Sequence, residues 1–97
     1  MNTTMNTVLT CVSLVTGLKS DHIFLNTRHQ HGLFARYIAI QLLKESGLTH
    51  QQIAAETQRT RQAVGKALKA HEQLLTSDYR YRNTYHLAHQ KFAERTS

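Results

Sequence analysis

Ninety-seven residues without proline, carrying twelve Lys plus Arg against six Asp plus Glu, describe a small basic chain of formal charge +6 and pI ≈ 9.9. A chain of this length buries about 60–65% of its unfolded surface, enough for one core and one domain. The charge favours polyanionic partners bound in a salt-dependent way, while the four glycines form neither GxxxxGK(S/T) nor GxGxxG and the single cysteine excludes an intramolecular disulfide or a cysteine-based zinc site.

In chain order, Met5, Val8, Val12 and Val15 predict a first helix from about Thr4 to Thr16, stopped at Gly17. Cys11 lies among these valines and reads as a buried structural thiol. Val8 to Leu18 is the longest apolar-leaning stretch, but Thr10, Ser13 and Thr16 interrupt it and it falls short of the ~20 residues a membrane span needs. No Lys or Arg precedes Lys19, so a secretory signal's charged start is missing and a cytoplasmic, nucleoid-associated location is expected. Ser20 or Asp21 is expected to cap a short helical turn holding Ile23 and Leu25. The polar stretch Asn26 to His31, with Arg28, His29 and His31, reads as a loop. Gly32 to Ser46 is then expected to be the central helix, because Leu33, Phe34, Tyr37, Ile40 and Leu43 crowd more than one face, with Gly47 at its C′ position.

Thr49 to Leu75 reads as two helices around a tight turn. Thr49 and Gln52 have capping-box spacing, and Ile53 follows as an inward anchor. A second helix opens at Thr60, with Val64, Leu68, His71 and Leu75 facing the core. At about 100° per residue, Gln62, Lys66, Lys69 and Gln73 fall opposite that stripe, with Gly65 on its flank and Arg61 at the N-terminal edge. From Thr57 to His71 the cations are Arg59, Arg61, Lys66 and Lys69, with no acidic residue. This is the pattern of a helix-turn-helix whose second helix enters a major groove, where Arg pairs bidentately with guanine and Gln with adenine. Arg61 and Gln62 are the expected base readers. Gln58 stands where such turns often carry Gly, and Arg59 where they are often apolar. Mid-helix Gly65 predicts a close approach by a backbone or another helix. The competing reading is a solvated basic face.

A last helix, about Ser77 to Glu94, places Tyr81, Tyr85, Ala88 and Phe92 on one stripe. Tyr79-Arg80-Tyr81-Arg82 has the alternation of a single-strand stacking platform, yet on a helix Tyr81 joins the core stripe. The histidine pairs His29/His31 and His86/His89 lack the nearby ligands that complete a metal site. The six carboxylates offer no obvious acid and base pair. Neither cofactor nor catalysis is expected.

The segment Ala35-Arg36-Tyr37-Ile38-Ala39-Ile40-Gln41-Leu42-Leu43-Lys44-Glu45, preceded by Arg28 and followed by Leu48-Thr49, Ile53 and Val64, resembles the C-terminal DNA-binding domain of the bacterial replication initiator DnaA. The resemblance covers roughly Val8 to Phe92. It implies an all-α, five- to six-helix bundle of Trp-repressor-like fold containing a helix-turn-helix. It further implies Arg28 as a minor-groove arginine, Arg36 as a phosphate contact, and Arg59 as the arginine before the recognition helix. The family's Gly-Gly turn is replaced by Gln58 with one residue fewer, and its Asp-His-Thr run by Thr60-Arg61-Gln62, so a different DNA target is expected. The ATPase domain of DnaA is not expected here.

These readings converge on sequence-specific binding of double-stranded DNA by a small transcriptional regulator. Arg61, Gln62 and Arg28 would read bases, with Arg36, Thr49, Arg59, Thr60, Lys66 and Lys69 on phosphates. Two alternatives stand beside it: a replication-origin accessory or competitor of an initiator, from a phage or mobile element, and a protein-interaction module that has lost DNA binding. A protein partner from the replication or transcription machinery is compatible with each. Repressors of this type often pair to read half-sites, whereas the DnaA resemblance implies a monomer and no heptad seam argues for a dimer, so the sequence leaves monomer or homodimer undecided.

Overall fold

The computed structural model describes residues 3–25 and 29–96, and every regular element among them is helical. Five α-helices follow in order: α1 (Thr3–Thr16), α2 (Gln30–Glu45), α3 (His50–Thr57), α4 (Arg61–Ser77) and α5 (Tyr79–Thr96), with a single 3₁₀ turn at Ser20–His22. No strand occurs among the described residues.

The boundaries follow from local chemistry. Gly17 and Gly47, both at positive φ, end α1 and α2 without the steric cost a Cβ would bring. Thr49 and Gln52 form the reciprocal capping box: Gln52 N donates to Thr49 Oγ1 at 3.1 Å and Thr49 N donates to Gln52 Oε1 at 2.8 Å. Thr60 caps α4 by accepting from Ala63 N at 3.0 Å, and Asp78 Oδ1 caps α5 by accepting from Arg80 N and Tyr81 N at 2.9 and 3.0 Å.

Several boundaries differ from the sequence expectation, among them α5, which spans Tyr79–Thr96 rather than about Ser77 to Glu94, and two of the shifts have a cause in their contacts. Helix α2 begins at Gln30, so His31 belongs to its first turn, and its Nε2 lies 2.6 Å from the Thr16 carbonyl at the end of α1. A tertiary hydrogen bond therefore recruits polar residues that carry no apolar periodicity. Helix α4 also runs two residues past Leu75, to Ser77, where Asp78 takes over as the cap of the next helix.

Helix α2 packs against each of the other four helices, which gives it the central place expected of it. Its buried residues include the consecutive Ile38, Ala39 and Ile40, which no single face can hold, together with Ala35, Leu42 and Leu43. Phe34 and Tyr37 pack partly against the core, and Leu33 is half-buried. Around this helix gather Val8, Cys11 and Val12 of α1, Ile53 of α3, Val64 of α4 and Tyr81, Ala88 and Phe92 of α5. Ile23 of the short turn is buried as expected, but Leu25 is 53% exposed. The Cα radius of gyration, 12.0 Å, is that of a close-packed chain. No helix among the described residues is long and apolar enough to cross a membrane.

The buried polar residues Thr57 and His71 and the buried tyrosines Tyr81 and Tyr85 are hydrogen-bonded. Tyr81 OH and His71 Nδ1 are 2.6 Å apart, and the His71 ring meets Tyr81 and Tyr85 edge-on at 5.5 and 4.5 Å between centroids. Tyr85 donates in turn to Glu45 Oε2, which also accepts from Gln41 Nε2 at 2.9 Å, while His89 Nε2 lies 3.2 Å from Glu45 Oε1. Burial holds His71 below its ordinary pKa and lifts both tyrosines above theirs. This chain of contacts joins α2, α4 and α5, so it fixes the orientation of α4.

Candidate nucleic-acid interface

Helices α3 and α4 are joined by Gln58, Arg59 and Thr60. Gln58 is in the left-handed region, φ 56° and ψ 45°, and is the only non-glycine residue at positive φ among those described. The bend is closed by Arg59 N donating to Ala54 O at 2.9 Å. A conformation that glycine adopts freely is thus reached by a residue with a Cβ, which costs about 1–2 kcal/mol. The hydrogen bond and the two flanking caps hold it there.

This turn sets the rotation of α4. Val64, Ala67 and His71 face the core, whereas Arg61, Gln62, Lys66, Lys69 and Gln73 are exposed. Leu68 and Leu75, expected in the inward stripe, are only partly buried. Ala67 occupies that stripe at the i+3 position from Val64; its single methyl adds little to a periodicity read from bulky residues.

Among the described residues, no carboxylate pairs with Arg61, Lys66 or Lys69. Arg61 opens α4, and no acidic residue occupies the first turn. A cation at this end adds to the positive pole of the helix dipole, a local cost of about 0.3–1 kcal/mol that a bound anion would reverse. The hydroxyls of Thr49 and Thr60 are exposed and serve their helices as acceptors. Their protons remain available to an anion.

Arg36 and Arg59 are placed differently. Arg36 Nη2 donates to the Leu25 carbonyl at 3.0 Å, and Arg59 Nη2 donates to the Phe24 carbonyl. The Nε of each is buried without a hydrogen-bond partner. Burial, and next the charge of Arg59, lower the Arg36 pKa, with a smaller opposing pull from Tyr37; a guanidinium still stays charged at neutral pH. Two guanidinium groups from distant parts of the chain thus grip consecutive carbonyls of one turn. Sequence separation hides this contact: 35 residues part Arg59 from Phe24. Arg28 lies outside the described residues.

The close approach expected at Gly65 is absent from the protein itself, since a Cβ built there meets no atom within 4 Å. Tyr81 is fully buried and Tyr79 is 61% exposed, so Tyr79 to Arg82 does not present paired aromatics to solvent. Arg82 Nη1 instead donates to the Leu75 carbonyl at 3.0 Å and ties α5 to the end of α4. Among the described residues no group of three or more His, Cys, Asp or Glu side chains is arranged to hold a metal ion. No family model, curated protein or solved structure matches this chain.

Proposed function

We propose that this chain is a sequence-specific double-stranded DNA-binding protein, a small transcriptional regulator in which α3 and α4 form a helix-turn-helix of the Trp-repressor and DnaA C-terminal-domain kind. The observation that carries this is the outer face of α4: Arg61, Gln62, Lys66, Lys69 and Gln73 exposed together, with its three cations free of carboxylate partners among the described residues. The length of α4, 17 residues, and the firm packing of its opposite face make it a rigid element to lay in a major groove. Arg61 and Gln62 read base edges from the first turn. Lys66, Lys69, Thr49 and Thr60 contact phosphates, and Arg28 reaches the minor groove. Arg36 and Arg59 serve DNA indirectly, through the turn they grip. The chain acts by binding, without catalysis.

A second reading, an accessory or competitor at a replication origin, is favoured by the DnaA-like Ala35 to Glu45 segment and uses the same interface. Site selection from random duplex DNA, followed by affinity at two salt concentrations, tests both. An enriched motif with steep salt dependence is the expected result. Its genomic surroundings, promoter or origin, choose between the two purposes. Failure to enrich any motif would overturn both.

A further inference from the structure

Gly65 weakens α4 relative to alanine, yet nothing inside the protein needs the missing Cβ. The constraint is therefore sought outside. Gly65 borders an open groove of about 480 Å³ between the end of α2, the start of α3 and this flank of α4. Lys44, His50 and Lys69 stand around it, and Glu72, two helical turns beyond Gly65, is its one carboxylate. Neither lysine pairs with a carboxylate among the described residues. The groove is flanked on α4 by the exposed base-reading candidates: Gln62 lies one helical turn before Gly65.

We propose that this groove seats one sugar-phosphate strand of the DNA duplex, which passes over the bare backbone of α4 at Gly65 with Lys44 and Lys69 flanking its phosphates. This deepens the DNA-binding reading and rests on it. The excess of cations over carboxylates makes a polyanion the occupant, and the adjacency to Arg61 and Gln62 makes it the strand whose bases they face. A side chain at position 65 would project into the path of that strand. The contact is to backbone, so it acts on every sequence alike.

The test uses the full chain and a short duplex of mixed sequence. Gly65→Ala is expected to raise the melting temperature while weakening duplex binding about tenfold, an opposition of sign that a merely structural glycine does not produce. Lys44→Gln and Lys69→Gln are each expected to lower the slope of log affinity against log salt by about 0.9. Lys91→Gln, on α5 and away from the groove, leaves the slope unchanged. Unchanged affinity in Gly65→Ala, or an unchanged slope in Lys44→Gln, overturns the groove proposal while the DNA reading stands. A wild-type chain that binds no duplex at low salt, or that takes up an acidic peptide instead, overturns both.

Discussion

The exposed cations of α4 and the pair Arg36 and Arg59 belong to the same positive chain, but they differ in what their donors face. Arg61, Lys66 and Lys69 extend into solvent with no carboxylate partner among the described residues. Arg36 and Arg59 are partly buried, and each spends a donor on a carbonyl of the turn at Phe24 and Leu25. Positive charge alone therefore does not mark an interface. A half-buried cation with a donor on a backbone carbonyl holds the protein together, whereas an exposed one with no carboxylate partner among the described residues, as Arg61 is at a helix start where its charge is unfavourable, is available to an external anion. Substituting members of each set should separate the two roles.

The largest effect is expected on binding. Arg61→Ala and Gln62→Ala should each weaken a matched duplex by about 1–3 kcal/mol and relax specificity, read by titrating matched and scrambled DNA. Thermal stability should not fall in Arg61→Ala, because the removed cation opposes the α4 dipole. Equal losses on matched and scrambled duplexes would move Arg61 from base reading to phosphate contact.

Arg59→Ala should reverse that profile. Removing the group that holds the Phe24 carbonyl, together with its packed stem, is expected to cost about 1–2 kcal/mol of folding stability, measured by urea denaturation. Relief of its repulsion with Arg36 offsets part of the loss. Binding should weaken to a similar degree on every sequence, since the loss acts through the turn. A stable Arg59→Ala with a lowered salt slope would return Arg59 to the phosphate contacts.

The orientation of α4 also depends on its buried side, and this is where pH enters. Burial lowers the His71 pKa below 6.5, Glu45 and Glu72 pull it back in part, and His86 pushes it further down. As pH falls below that ordinary value, the unfolded chain takes up a proton that the folded chain resists. Stability is therefore present above 6.5 and declines on acidification. The urea midpoint of the wild type should drop across this range, and His71→Gln, which keeps a polar group without titrating, should show a shallower drop. An equally steep decline in His71→Gln would remove His71 as its source.

Much of the fold was legible because it rests on local pattern. The Thr49 capping box, the Thr60 start of α4, the α5 stripe of Tyr81, Tyr85, Ala88 and Phe92, and the burial of Cys11 each follow from spacing or neighbours within one or two helical turns. The outward face of α4 was legible for the same reason. What was not legible depends on contacts across the chain: the early start of α2, tied to Thr16 through His31; the grip of Arg36 and Arg59; and the empty space beside Gly65. Ala67 is buried in α4 but weighs little in an apolar pattern because its side chain is small, although a close helix contact favours it.

Gln58 carries the smallest expected effect and bears on how the two regions are joined, since one turn both displays Arg61 and carries Arg59. Its φ of 56° is strained for a side chain bearing a Cβ. Gln58→Gly removes that strain but adds freedom to the unfolded chain, and these terms leave a net gain of about 0.5 kcal/mol. In a domain of this size that raises the melting temperature by roughly 2–4 °C. Duplex affinity should stay constant, because the hydrogen bond from Arg59 N to Ala54 O and the Thr60 cap still set the angle between α3 and α4. A gain in stability with unchanged binding would show that the turn contributes geometry alone. Weaker binding despite the gain would mean that the Gln58 side chain, exposed beside Arg61, itself belongs to the DNA-facing surface.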